Sequence, residues 1–380
     1  MSESCVSTKV LLLEGIQGYH FLGWEIVRLP HALDEDQLIA HLKGVTVLGI
    51  RSATKVTRRV LEHSSLLAIG CFCIGTNQVD LEAATKLGIA VFHSPFANTR
   101  SVAELCIAQM VCLSRQSGDR NIEMHNNTWN KTSQGCHEVR GKQVGIVGYG
   151  HVGSQVGILA EALGMKVVYY DIRNLLPYGR NRPVEWNVLL STSDFVTFHV
   201  PLTSQTKAML NRDALLLVKQ GAYILNTSRG EVVDMSALRE SLPRLGGIYL
   251  DVFPQEPTKN GPYLPPITGP NVILSPHIGG STEEAQGNIN KDISAKLVNY
   301  ITQGQTLDCL TLPNLPGISS GVAYIHHNVP RALLTLHQHL SDHNILSETL
   351  ATQGDVGYCL MTLDRLPTVP LPGMRVLSQY

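Results

Sequence analysis

Residues Gln143 to Gly153 read Q-V-G-I-V-G-Y-G-H-V-G, an apolar strand pattern that runs straight into glycines at 148, 150 and 153. A strand that turns at once into a helix needs a residue without a Cβ at the turn, and Gly148 supplies it. Gly150 lets the backbone approach a bound pyrophosphate, and Gly153 lets the helix pack closely on the strand. The amides around His151 and Val152 then open a helix with unsatisfied donors and the positive end of its dipole, an arrangement that favours phosphate oxygens. Asp171 ends the next apolar run, about 20 residues further on. A carboxylate there accepts from ribose hydroxyls and repels a 2′-phosphate. The pattern predicts a dinucleotide site that takes NAD in preference to NADP, with Arg173 nearby weakening the preference slightly.

The rest of the chain has the organisation such a site requires. At 380 residues it exceeds one hydrophobic core, so two or three domains are expected. In the first hundred residues Lys9–Glu14, Val45–Ile50, Leu66–Gly70 and Ala90–Phe92 read as strands. Asp34 caps a helix over Glu35–Leu42 and Asp80 one over Leu81–Leu87, closed by Gly44 and Gly88. A long helix is expected from about Thr99 to Asn126. Strands follow at Gln143–Val147, Lys166–Tyr170, Phe195–His199, Tyr223–Asn226, Ile248–Asp251 and Val272–Leu274. Six strands with intervening helices predict a doubly wound parallel sheet, an α/β fold. Glu283–Thr302 reads as a further helix, and Thr311–Gly317 (TLPNLPG) as a linker. Beyond it lie a strand (Gly321–His326), a helix (Pro330–His343) and another strand near Gly357–Leu363.

Thirty basic against 31 acidic residues leave a net charge of −1, without the excess that a nucleic-acid surface needs. No apolar run approaches the roughly 20 residues of a membrane span. Met1–Cys5 lacks the basic and apolar regions of a signal peptide. Eight cysteines are scattered, and Cys71 and Cys73 form C-x-C, not a metal or redox spacing. The expectation is a cytoplasmic protein with reduced thiols and no metal.

Three segments each end an expected strand, where open α/β sheets place their ligands: Asn226-Thr227-Ser228-Arg229-Gly230, Asp251 to Pro257, and Ser275 to Ser281. Oxidising a small 2-hydroxy acid needs a base for the hydroxyl proton and a cation for the carboxylate. His277 has the pKa for the base. Glu256 is placed to hydrogen-bond its other ring nitrogen, and Arg229 offers a planar fork for the carboxylate. Asp251 is placed to take the nicotinamide amide. Singly, such residues are commonplace on surfaces and in turns. Together, at successive strand ends after a complete cofactor motif, they predict a dehydrogenase.

These segments resemble the signature regions of the D-isomer-specific 2-hydroxyacid dehydrogenases. The resemblance runs essentially end to end and is carried by Ala68–Leu81 (AIGCFCIGTNQVDL), Asn98–Leu105 (NTRSVAEL), Val147–Gly153, Asp251–Pro257 and Pro276–Ser281 (PHIGGS). It implies a catalytic set of Arg229, Glu256 and His277. It also puts Thr227, Ser228, Asp251 and the loop His277, Ile278, Gly279 and Gly280 near the nicotinamide. It further implies a flavodoxin-like substrate domain over residues 1–97 and 281–312, a Rossmann-type NAD domain over 98–280, and a small α+β ACT-like regulatory domain over 318–380. Members of this kind are generally homotetramers.

For the substrate, the resemblance implies Arg51, Ser52 and Asn98. The implied reaction is oxidation of 3-phosphoglycerate to 3-phosphohydroxypyruvate, the first step of serine synthesis. Ala53 stands where a second arginine is expected, and Lys55 or Lys131 is placed to compensate. His326, Asn328 and Asn344 match residues that hold a serine effector. Arg331, in place of a glycine, is expected to crowd that pocket. Too few residues lie between Asp364 and Met374 for a second helix, so the ACT-like domain is expected to be incomplete, and the first domain is short between Gly15 and Glu25. Other readings are a dehydrogenase for another acid such as 2-oxoglutarate, an inactive paralogue, or an NAD-sensing corepressor.

Overall fold

Short, almost wholly apolar runs build the first sheet. β1 (Lys9–Leu12), β2 (Glu25–Arg28), β3 (Val47–Ile50), β4 (Ala68–Cys71) and β5 (Ala90–His93) are all parallel, in the order β2-β1-β3-β4-β5. The structure, a computed structural model, describes residues 8–378 except 20, 22, 74, 258, 259 and 370, so Met1–Cys5 lies outside the described residues. β3 and β4 are buried along their whole length, as strands covered on both faces must be. The strand order is that of flavodoxin-like sheets. Asp34 caps the helix Glu35–His41 through a capping box with Gln37, and Asp80 caps Leu81–Lys86. Between Gly15 and Glu25 no helix forms among the described residues; Ile16 and Phe21 fill the core instead.

The second sheet is the larger. β6 (Gln143–Val147), β7 (Lys166–Tyr170), β8 (Arg182–Pro183), β9 (Phe195–Phe198), β10 (Tyr223–Asn226), β11 (Gly247–Leu250) and β12 (Val272–Leu274) lie in the order β12-β11-β10-β9-β6-β7-β8. Every pairing is parallel. The order reverses between β6 and β9, the doubly wound topology whose switch point receives a ligand. The sheet has one strand more than the expected six. The extra strand is β8, a two-residue edge where a proline costs no ladder bond. The single helix expected over Thr99–Asn126 is two, Thr99–Ser114 and Ser117–His125. Gln116 takes a left-handed conformation (φ +51°) between them. The turn lets the Asp119 carboxylate accept from the Asn271 amide at 2.8 Å, docking the second helix beside β12.

The third sheet is antiparallel: β13 (Ser320–His327), β14 (Ile345–Gln353), β15 (Val356–Leu363) and β16 (Met374–Ser378), in the order β14-β15-β13-β16. Leu336 and Leu340, on and just beyond the helix Ala332–His339, cover one face against Val322, Cys359 and Met361. That helix is shorter than the expected Pro330–His343 because Arg331 is left-handed (φ +68°) and sets its start. No second helix separates β15 from β16 among the described residues. β14 was not expected; most of its side chains are exposed.

Contacts divide the chain into two units. Residues up to Ala97 and from Gln286 onward form one, so the first and third sheets belong together; Asn98–Ala285 form the other. In the first unit the face of the third sheet opposite its helix joins the core of the first, where Ala323, Tyr358, Leu360 and Leu377 meet Phe92, Leu297 and Tyr300. Among the described residues no helix is long and apolar enough to cross a membrane.

Candidate active site

In the second unit β6 delivers the chain into Gly148 at φ +89°. A Cβ there would lie 2.5 Å from the His199 carbonyl oxygen. A Cβ on Gly153 would lie 2.0 Å from the Gly148 carbonyl oxygen, so the helix His151–Ala162 can start this close to the turn only with glycine at that position. Gly150 is its N-cap and gives no side-chain cap, leaving the amides of Val152 and Gly153 without a capping side chain. The Asp171 carboxylate accepts from the Tyr149 and Arg173 amides, both at 2.9 Å, and pairs with the Arg173 guanidinium at 3.2 Å. Burial pushes its pKa up, but the Arg173 side chain and the two amides outweigh this and hold it below the usual value. A cradle that any Cβ would fill, uncapped amides at Val152 and Gly153 and an ionised carboxylate at the next strand end fit a dinucleotide with a free 2′-hydroxyl. Those residues would hold NAD.

The three strand-end segments converge. Asn226, fully buried at the end of β10, accepts from the Ser228 amide and hydroxyl and donates to the Arg229 carbonyl at 2.8 Å. This locks the loop that presents Arg229. Gly230 packs on the backbone of Phe253 and Pro254, where a Cβ would come within 2.0 Å, and so draws the Arg229 loop onto the Glu256 loop. Glu256 accepts from the Phe253 amide at 3.0 Å and from His277 Nδ1 at 2.6 Å. The hydrogen bond to Glu256 raises the His277 pKa above its ordinary value, against partial desolvation. Partial burial pushes Glu256 up, but His277, the Phe253 amide and Arg229 hold it low. Arg229 lies near enough for its charge to act on both partners.

Asp251 is buried and serves this loop. It accepts from the Ile278 amide at 2.9 Å, the Gly279 amide at 2.8 Å and the Ser275 hydroxyl at 2.5 Å, and Ser275 accepts from Tyr249. Three of four lone-pair sites are thereby occupied, which leaves one, on Oδ2, open. His277 itself has φ +54°, a left-handed conformation held by its amide bond to the Asp251 carbonyl at 2.7 Å. Gly280 sits against the buried side chain of Asn98. Thr227 meets His199, a half-buried imidazole pushed down to about 3 by desolvation and therefore neutral, which also contacts Thr197 at 3.0 Å.

Lys131 lies exposed in the same unit. Arg51 and Ser52 belong to the other. There the Glu14 carboxylate accepts from the amides of Arg51, Ala53 and Thr54, and Arg51 Nη2 donates to Gln286 at 2.7 Å. His326 donates from Nδ1 to the His327 carbonyl, Asn328 donates to the Gly354 carbonyl, and the Asn344 amide donates to Asp364. Sequence reasoning named Asn226 and Gly230 only as part of their segment, without a role, and missed His199, Glu14 and Gln286. Asn226 carried a signal of its own: a polar residue ending a strand that is otherwise apolar.

Residues 107–279 match the model of the D-isomer specific 2-hydroxyacid dehydrogenase, NAD binding domain. The chain is 45% identical over 379 residues to D-3-phosphoglycerate dehydrogenase 1 of Saccharomyces cerevisiae, covering 93% of this chain and 81% of the relative. To D-3-phosphoglycerate dehydrogenase of Escherichia coli it is 42% identical over 373 residues, covering 94% and 91%. The crystal structure of a Thermus thermophilus protein superposes with a TM-score of 0.68 at 30% identity, over 77% of this chain and 96% of that one. The glycine cradle, the histidine–carboxylate pair and these likenesses agree: the chain belongs to the D-isomer specific 2-hydroxyacid dehydrogenases and carries their NAD-binding domain.

Proposed function

We propose that the protein oxidises 3-phosphoglycerate to 3-phosphohydroxypyruvate with NAD, feeding serine synthesis, and that Arg229, Glu256 and His277 carry the chemistry. The 2.6 Å contact between His277 and Glu256, with Arg229 beside it, carries this reading. Likeness to phosphoglycerate dehydrogenases over nearly the whole chain supports the substrate.

Neutral His277 takes the hydroxyl proton at Nε2. As it charges, the Glu256 carboxylate at Nδ1 stabilises the imidazolium and keeps the ring oriented. Arg229 grips the substrate carboxylate and polarises the nascent carbonyl. When bound, NAD supplies the hydride acceptor. In the reverse direction protonated His277 returns the proton. Arg51 is held by the neutral Gln286, not by a carboxylate, so its charge is free for an anionic substrate group, and its Nε is buried without a hydrogen-bond partner. Arg51, Ser52, Asn98 and Lys131 are the proposed substrate contacts. The seven described cysteines are all free, which supports a reducing, cytoplasmic setting. We propose further that the chain forms a homotetramer whose third sheet responds to serine.

The test is NADH absorbance with 3-phosphohydroxypyruvate, its unphosphorylated analogue and 2-oxoglutarate. The expected result is at least a tenfold higher kcat/KM for the phosphorylated acid. A preference for 2-oxoglutarate would overturn the substrate but keep the chemistry. Turnover of no 2-oxo acid would overturn both and favour an inactive paralogue or an NAD-sensing corepressor.

A further inference from the structure

Within the first unit, between the third sheet and the layer of the first, lies a cleft of about 350 Å³. Its charged and titratable lining residues are Lys86, His326, His327 and Arg375, and no carboxylate lines it. Leu66, Ile325 and Met374 contribute to its apolar wall. Arg375, on β16, lays its guanidinium over the ring of Tyr300, 4.1 Å from the centroid. That stacking satisfies a face of the cation, and the hydroxyls of Tyr300 and Tyr358 stand near its edge. Nε and Nη2 of Arg375 are buried from solvent and have no hydrogen-bond partner. A second unmet atom, Nε2 of His326, belongs to another lining residue whose Nδ1 is already committed to the His327 carbonyl at 2.8 Å.

Burying guanidinium donors without partners is costly, and folded proteins pair such groups. The planar fork of an arginine matches a carboxylate or a phosphate with two parallel bonds. We infer that the cleft binds a small oxyanion, a carboxylate or phosphate group of a metabolite, seated on Arg375 with Lys86 facing it from the end of the helix Leu81–Lys86. Lys86 is exposed and pairs with Glu82 at 2.6 Å, a surface contact weak enough to be shared with a second anion. Such a ligand links the third sheet to the first and stiffens their junction. The site shares His326 with the residues matched to a serine effector but not Asn328 or Asn344, and it stands independently of the proposed reaction.

The test is thermal unfolding and calorimetric titration of the full chain with inorganic phosphate, citrate or L-serine, each against sodium chloride at matched ionic strength. The expected result is a saturable rise in Tm of a few degrees with phosphate or citrate. Arg375→Met abolishes this rise while its own Tm in chloride equals or exceeds the parent's, because an unmatched buried charge has gone. Lys86→Gln, at an exposed position, weakens binding several-fold with no change of Tm in chloride, and it stands as the test if the first variant does not fold. Phosphate acting without citrate assigns a phosphate ligand, and citrate without phosphate a carboxylate. The inference is overturned if neither anion acts beyond chloride, or if Arg375→Met and Lys86→Gln respond as the parent does. It is also overturned if only serine acts and Asn328→Ala, not Arg375→Met, removes the effect.

Discussion

Replacing Glu256 by glutamine removes the charge of the His277 partner while keeping its shape. The glutamine carbonyl oxygen still accepts from Nδ1 and preserves the tautomer, but its NH2 then faces the Phe253 amide, which loses its acceptor. At the observed 2.6 Å two unit charges interact by about 1.6 kcal/mol in a water-like dielectric and about 6 kcal/mol at an effective dielectric of 20. The side chains are 46% and 32% exposed, so screening places the effect toward the lower bound, about 1.5–3 kcal/mol. If that energy is realised when the imidazolium forms, kcat falls roughly tenfold to 150-fold. The sign of the pH effect follows from the raised pKa of His277. Oxidation needs neutral His277 and rises with pH through that pKa; reduction needs the protonated form and falls through it. Without the carboxylate His277 holds its proton less tightly, so both limbs move to lower pH. The assay is kcat and kcat/KM against pH, in both directions, for parent and variant. Unmoved limbs with an unchanged kcat, or limbs moved to higher pH, would refute the reasoning.

Gly153→Ala pushes the cofactor helix off its turn, because the new Cβ meets the Gly148 carbonyl at 2.0 Å; NAD affinity by calorimetry is expected to fall at least tenfold. Asp171→Ala removes a carboxylate and frees Arg173, paired with it at 3.2 Å. The NADPH to NADH ratio of kcat/KM should then rise roughly tenfold to a hundredfold, and an unchanged ratio would deny Asp171 its role. Arg331→Gly relieves a left-handed arginine at φ +68°, worth about 0.5–1 kcal/mol after the added freedom of the unfolded chain; thermal unfolding should move up by a degree or more. Asp251→Asn turns an amide toward backbone donors at a buried site, costing about 2–4 kcal/mol in urea unfolding and lowering kcat as well.

The cofactor half was legible because its rules are local. Gly148 and Gly153 are demanded by a positive φ and by a 2.0 Å approach that no other residue permits, and a fully covered parallel strand such as β11 reads as an unbroken apolar run. Elements whose cause is tertiary were not legible. β14 is an edge with a mostly polar, exposed face, so its sequence ILSETLATQ shows no buried alternation. Nothing in helix propensity forbids a continuous helix through Gln116; the break reflects the docking of Asp119 onto Asn271. Arg331 stands where a glycine is expected, yet its structural consequence is backbone strain at a helix start, which side-chain bulk does not reveal.

The same distinction explains how His277 is presented. A left-handed histidine in an exposed loop is unfavourable by itself, by about 1–3 kcal/mol, and a sequence pattern assigns it no such conformation. The buried Asp251 holds it there. Its carbonyl and carboxylate take the amides of His277, Ile278 and Gly279 in succession, and the hydroxyls of Ser275 and Tyr249 fix the carboxylate in turn. A loop built only of flexible residues would let the imidazole swing; one whose three consecutive amides are held by the carbonyl and carboxylate of a buried aspartate keeps its Nδ1 on Glu256. The strand-end position of Asp251, one residue beyond β11, therefore matters for the mechanics of the loop, beside its proposed contact with a cofactor. The rigid sheet carries a carboxylate that orders the loop, and the ordered loop carries the proposed base.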